Sequence, residues 1–273
     1  MKPIKRWMIS LVVCVCSTFG MAAVRMENVE YQSSAGTFEG LLVYPADAET
    51  NLPGVLMIHN WMGVSEETRT QATRMAELGY VVFAADIYGK GVRPTTAEEA
   101  LKLVGTYRAD RKRFRERLQL GLETFRAQPG VDKNKIVAVG YCFGGTGVIE
   151  LARSGADIQG VVSFHGGLDS PAPEDGRNIK ASVLALHGAD DPHVKAEDLA
   201  AFEEEMRVHK VDWQLVKYGN AVHSFTEKGA GDDNATGAAY NAKADARSFE
   251  DFKDFAREVL AGGQSSESPA QKP

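Results

Sequence analysis

Cysteine is almost missing from this chain of 273 residues: there are 3, at positions 14, 16 and 142. Cys14 and Cys16 fall in a segment ordered like a secretory signal. Lys2, Lys5 and Arg6 come first, then the apolar run Trp7 to Phe19, then the small-residue stretch Gly20-Met21-Ala22-Ala23. That run is shorter than the ~20 residues a bilayer span needs. We therefore expect residues 1–23 to be a cleaved signal peptide, no stable membrane anchor after cleavage, and a periplasmic or secreted mature protein. Val precedes both Cys14 and Cys16, which argues against a lipid-modified cysteine. Cys142 alone survives cleavage, so no intramolecular disulfide can form. A lone thiol in an oxidising compartment asks for a reason, and burial is the plainest one.

A positive charge excess is missing too. Lys and Arg number 31 against 37 Asp and Glu, a formal net charge of -6, and phosphate binding needs clustered, uncompensated cations. Nucleic acid is excluded as a partner and a small molecule is favoured. The scattered His and Asp residues have no metal-ligand spacing, so neither a metal nor another cofactor is expected. With 44% hydrophobic and 25% charged residues the chain is globular. It has no internal repeat. Residues 24–261 read as one domain and 262–273, opening on Gly262-Gly263-Gln264-Ser265, as a disordered tail.

What is present is an alternation of strands and helices. Val29 to Gln32 and Thr37 to Tyr44 flank the turn Ser33-Ser34-Ala35-Gly36, which predicts a leading β-hairpin. Gly54 to His59 is a continuous apolar run, the pattern of a parallel strand buried on both faces. A helix capped by Ser65 should run to Leu78, followed by a strand over Tyr80 to Ala85. Phe114, Leu118, Leu122 and Phe125 recur at helical spacing within Arg111 to Gln128. The accompanying cluster from Arg108 to Arg117 reads as a solvated face. Strands over Lys135–Gly140, Ile158–Phe164, Ser182–His187 and Trp213–Tyr218 alternate with helices over Phe143–Arg153 and Lys195–His209, and a last helix covers about Ala238 to Leu260. The expectation is an α/β protein with a mainly parallel sheet and helices on both faces.

Three motifs carry chemistry. Gly140-Tyr141-Cys142-Phe143-Gly144-Gly145 follows an apolar strand and opens a helix, a nucleophile elbow with Cys in the place of Ser. A helix N-terminus there favours the thiolate form. His187-Gly188-Ala189-Asp190-Asp191 puts an acid at the carboxyl end of a strand, and either Asp could orient a base. His223, in the loop after the last strand, completes the order nucleophile, acid, histidine. Oxyanion donors are expected from the amides of Phe143 and of Trp61, in the loop His59-Asn60-Trp61-Met62-Gly63.

These motifs, with His223-Ser224-Phe225 and Asp86-Ile87-Tyr88, resemble the dienelactone hydrolase family over about Tyr31 to Leu260. The resemblance implies an α/β-hydrolase fold, Cys142 as nucleophile, His223 as base and Asp191, rather than Asp190, as orienting acid. It implies cleavage of an ester or lactone through an acyl-thioester. The sequence departs from the family at Asn60, where dienelactone-cleaving members have a Glu linked to cysteine activation, and at Lys90 and Glu227, where they have arginines for the substrate carboxylate. Asn60 and Lys90 are expected to contact substrate, with Arg93 as another cation in reach. Asn60 also leaves open a catalytically weakened fold that binds a periplasmic ligand or partner.

Overall fold

Apolar runs too short for helices and too continuous for a one-sided sheet must be covered on both faces, and that need organises this molecule. The computed structural model describes residues 23–47 and 50–261, so the expected signal up to residue 22 and the expected tail lie outside the described residues. β1 (Val24–Ser33) and β2 (Gly36–Pro45) form the leading hairpin, in register from Val24 opposite Pro45 to Ser33 opposite Gly36. β2 then pairs antiparallel with β4 (Val81–Ala85). The remaining strands, β3 (Leu52–Ile58), β5 (Val131–Tyr141), β6 (Gly160–Phe164), β7 (Ser182–Gly188) and β8 (Trp213–Tyr218), run parallel with β4. The sheet has 8 strands in the order β1-β2-β4-β3-β5-β6-β7-β8.

Alternate side chains divide between two cores. Val55, Met57, Val82, Ala84, Val137 and Val139 point toward α1 (Glu66–Ala76) and α6 (Ala242–Ala261), meeting Met75, Phe252 and Phe255. Leu56, Ile58, Phe83 and Ala138 point the other way, toward α3 (Arg111–Arg126), α4 (Phe143–Arg153) and α5 (Ala196–Val208). Phe114, Leu118, Leu122 and Phe125 of α3 are fully buried, each contributing about 1.5–3 kcal/mol by leaving water. The α/β-hydrolase expectation stands.

Several local expectations change. α2 (Ala97–Ala109) was not foreseen: only Ala100 and Tyr107 are buried on it and Leu101 is 62% exposed, so it carries no clear apolar stripe. α6 begins at Ala242 because Asn241 Oδ1 accepts from the amides of Lys243 and Ala244, while Ala238 bridges to His223. The basic cluster is not simply a solvated face. Arg111 pairs with Asp169 at 2.6 Å, Arg115 with Glu150 at 2.8 Å and Asp175 at 2.6 Å, and Arg117 lies 4.7 Å over the Phe38 ring. These three serve inter-element packing, whereas Arg108, Lys112 and Arg113 stay exposed.

Candidate active site

β5 ends at Tyr141 and α4 begins at Phe143, leaving Cys142 as the one-residue elbow between them. Its backbone is left-handed, φ 54° and ψ -115°, a strained conformation that persists where the surroundings over-determine it. Two glycines make it possible. A Cβ at Gly140 would sit 1.9 Å from the Gly144 carbonyl oxygen, and one at Gly144 would sit 2.1 Å from that of Ile58. The Cys142 amide donates to the Phe164 carbonyl at 3.0 Å, which ties the elbow to β6.

The loop after β8 brings His223 to the sulfur, with Nε2 3.0 Å from Cys142 Sγ. On its other side Nδ1 is 2.8 Å from Asp191 Oδ2. Asp191 Oδ1 accepts from the His193 amide at 2.8 Å, so both carboxylate oxygens are engaged. Asp190 is exposed and Asp191 buried, which resolves the choice that residue chemistry alone left open. Burial would lower the pKa of His223. Its interactions with Cys142 and Asp191 instead hold it up to about 10. Burial raises Asp191, yet the hydrogen bond from His223 leaves it below the usual carboxylate range. His223 is therefore favoured as the imidazolium, facing the Asp191 carboxylate.

Around this row the expected oxyanion loop is pinned by groups to which the sequence assigned no role. His59 is buried, and its Nδ1 donates to the Asn60 carbonyl at 2.6 Å while Nε2 accepts from the Ile87 amide at 3.2 Å. Burial lowers its pKa to about 4, so the ring is neutral and serves as a spacer. Tyr88 donates its hydroxyl to the Trp61 carbonyl at 3.0 Å. Asp86 builds the turn that presents Tyr88, accepting from the amides of Tyr88 and Gly89, each at 3.1 Å. The sequence signal for these three was their run Asp86-Ile87-Tyr88 and a histidine ending an apolar strand. Among the described residues neither the Phe143 amide nor the Trp61 amide has a protein acceptor, which leaves both free for a ligand oxygen.

Asn60 is buried in the same loop. Its Oδ1 accepts from the Met62 amide at 2.9 Å and its Nδ2 donates to Glu227 Oε1 at 3.1 Å. The Lys90 ammonium is paired with Glu30 of the hairpin and lies 4.0 Å from Glu39. Arg93 is likewise committed, to Asp86 at 3.5 Å and to the carbonyls of Val64, Gly89, Val92 and Glu39. Among the described residues no group of three or more His, Cys, Asp or Glu side chains is placed to hold a metal, and no helix is long and apolar enough to cross a membrane.

Comparison with known proteins agrees with the fold. A crystal structure of the dienelactone hydrolase-like promiscuous phosphotriesterase P91, from metagenomic libraries, is 38% identical, with TM-score 0.83, covering 87% of this chain and 99% of that one. A Caenorhabditis elegans protein of unknown character is 34% identical over 154 residues, 55% of this chain and 96% of that one. Dienelactone hydrolase from Anabaena variabilis is 22% identical, with TM-score 0.60 over 83% of this chain and 96% of that one, a likeness of fold. The model of the dienelactone hydrolase family matches residues 38–260, and the chain belongs to that family of hydrolases.

Proposed function

We propose that this hydrolase cleaves an ester or lactone carbonyl by acyl transfer to Cys142 and then to water. The observation that carries the reading is the unbroken row Sγ, Nε2 at 3.0 Å, Nδ1, Oδ2 at 2.8 Å. The sulfur lone pair attacks the carbonyl carbon, and the electrons displaced onto oxygen are met by the Phe143 and Trp61 amides. Collapse of that intermediate breaks the bond to the leaving alkoxide, which takes the proton from His223 Nε2. The imidazole, now neutral, removes a proton from water as it attacks the acyl-thioester; the acid departs and the thiolate–imidazolium pair is restored. Asp191 keeps the ring in register throughout.

Asn60 does not interrupt this relay, because no proton passes through it; the reading of a weakened, ligand-binding fold rests on Asn60 alone. A second substrate class has one observation in its favour, the 38% identity to a protein described as a promiscuous phosphotriesterase. A thiolate in the same position can attack phosphorus. We further propose export, so that the periplasmic protein begins near Ala23 or Val24, which N-terminal mass measurement of the periplasmic fraction tests. For the reaction, Cys142→Ala should abolish turnover of small activated esters and lactones with the fold retained. Rapid iodoacetamide labelling of Cys142 at neutral pH should slow in His223→Asn. Full activity without the thiol ends the proposal.

A further inference from the structure

Two loops make the site, the one after β3 that carries Trp61 and the one after β8 that carries His223. They are joined by a side-chain bond the relay does not use, from Asn60 Nδ2 to Glu227 Oε1 at 3.1 Å. Asn60 is 5% exposed and its other side-chain atom is already spent on the Met62 amide. Its amide orientation is therefore fixed, and its two donor hydrogens must find an acceptor across the gap. Glu227 is that acceptor. Its own backbone is anchored by donation to the Ser224 carbonyl at 2.8 Å, next to His223. Glu67 of α1 also lines the small pocket behind Asn60, together with Gln71 and Tyr141. Burial, with Glu67 adding to it, raises the pKa of Glu227, against the hydrogen bond from Asn60 and, more weakly, His223. Its carboxylate is thus poorly solvated.

We propose that Glu227 is a positioning and specificity-determining residue: through Asn60 it fixes the Trp61 loop, and its carboxylate turns the site against substrates whose acyl portion bears a free carboxylate. The assignment rests on the acyl-transfer reading above and names the substrate class for it, uncharged or cationic esters and lactones. A second anion beside an already crowded carboxylate acts as a repulsive element, which discriminates as effectively as any attractive contact. The positioning role is separable from the charge. Glutamine keeps an Oε1 acceptor for Asn60 and removes the charge, whereas alanine removes both.

The experiment measures kcat and KM for p-nitrophenyl butyrate and for the mono-p-nitrophenyl ester of glutaric acid. The proteins are wild type, Glu227→Gln, Glu227→Ala and Cys142→Ala. The wild type should favour the neutral ester in kcat/KM by about tenfold or more, and Glu227→Gln should shrink that preference about tenfold. Glu227→Ala should lower kcat on the neutral ester several-fold below Glu227→Gln, because only alanine frees the Trp61 loop. A wild type that prefers the glutarate ester overturns the inference, as does a preference that Glu227→Gln leaves unmoved. If Cys142→Ala is inactive while the preference does not move, the specificity assignment alone falls. Turnover persisting in Cys142→Ala removes the acyl-transfer reading together with it.

Discussion

Removing the sulfur should drop the His223 titration out of the alkaline range. The ring stands at about 10 against an ordinary 6.5, and each pKa unit corresponds to ~1.4 kcal/mol, so its surroundings favour the protonated ring by roughly 5 kcal/mol. Burial works against this, and Cys142 is the largest of the influences that overcome it, ahead of Asp191. In Cys142→Ala burial remains and that influence is gone; the ring should then titrate below about 8.5. Asp191→Asn should lower it as well, by removing the facing carboxylate. The assay is a 15N-edited imidazole titration between pH 5 and 11, on wild type and both variants, with the wild-type step belonging to the sulfur–imidazole pair rather than to one group. The sign extends to activity. A group raised to about 10 keeps its proton across neutral pH and loses it above, so leaving-group protonation, and kcat with it, should fall through about pH 10. A wild-type His223 that titrates near 6.5, or one unaffected by Cys142→Ala, refutes the electrostatic reasoning.

Three further outcomes follow from the packing around the row. Tyr88→Phe deletes the 3.0 Å bond to the Trp61 carbonyl; steady-state kinetics should give a kcat several-fold lower with KM little changed, and chemical unfolding a loss of about 1 kcal/mol. Gly144→Ala would put a methyl 2.1 Å from the Ile58 carbonyl oxygen, so it should cost at least ~3 kcal/mol in a denaturation curve or prevent folding outright. Arg153→Met strands Glu205 and leaves Glu150 only Arg115; the two carboxylates lie 2.6 Å and 2.9 Å from a guanidinium with 0% exposure. Its unfolding free energy should fall by about 3–5 kcal/mol, with thiol labelling of the folded protein retained.

Much of this arrangement was legible in the amino-acid order because the strands are buried on both faces and leave unbroken apolar runs. Helix α4 and strand β8 were read to their observed ends, since each is bounded by residues of a different character. Helix α2 was missed for the opposite reason: it buries one alanine and one tyrosine and exposes Leu101, so periodicity had nothing to report. Its Thr96 cap on the Glu99 amide was the available signal. The order Cys142, Asp191, His223 could be read, but the choice between Asp190 and Asp191 came from resemblance and the 2.8 Å contact came only from the fold. The pairing of Lys90 with Glu30 was not legible, because a cation after a strand says nothing about which acids will reach it. The role of His59 was hidden too, since its neutral state depends on burial that the sequence does not announce.

The most direct test of the account is to stop the reaction halfway. His223→Asn, mixed with a p-nitrophenyl ester, quenched in acid and digested, should yield the peptide containing Cys142 carrying the mass of the acyl group. A peptide that stays unmodified while p-nitrophenol is released, or an acyl group found on another residue, would contradict the claim that this sulfur forms the bond.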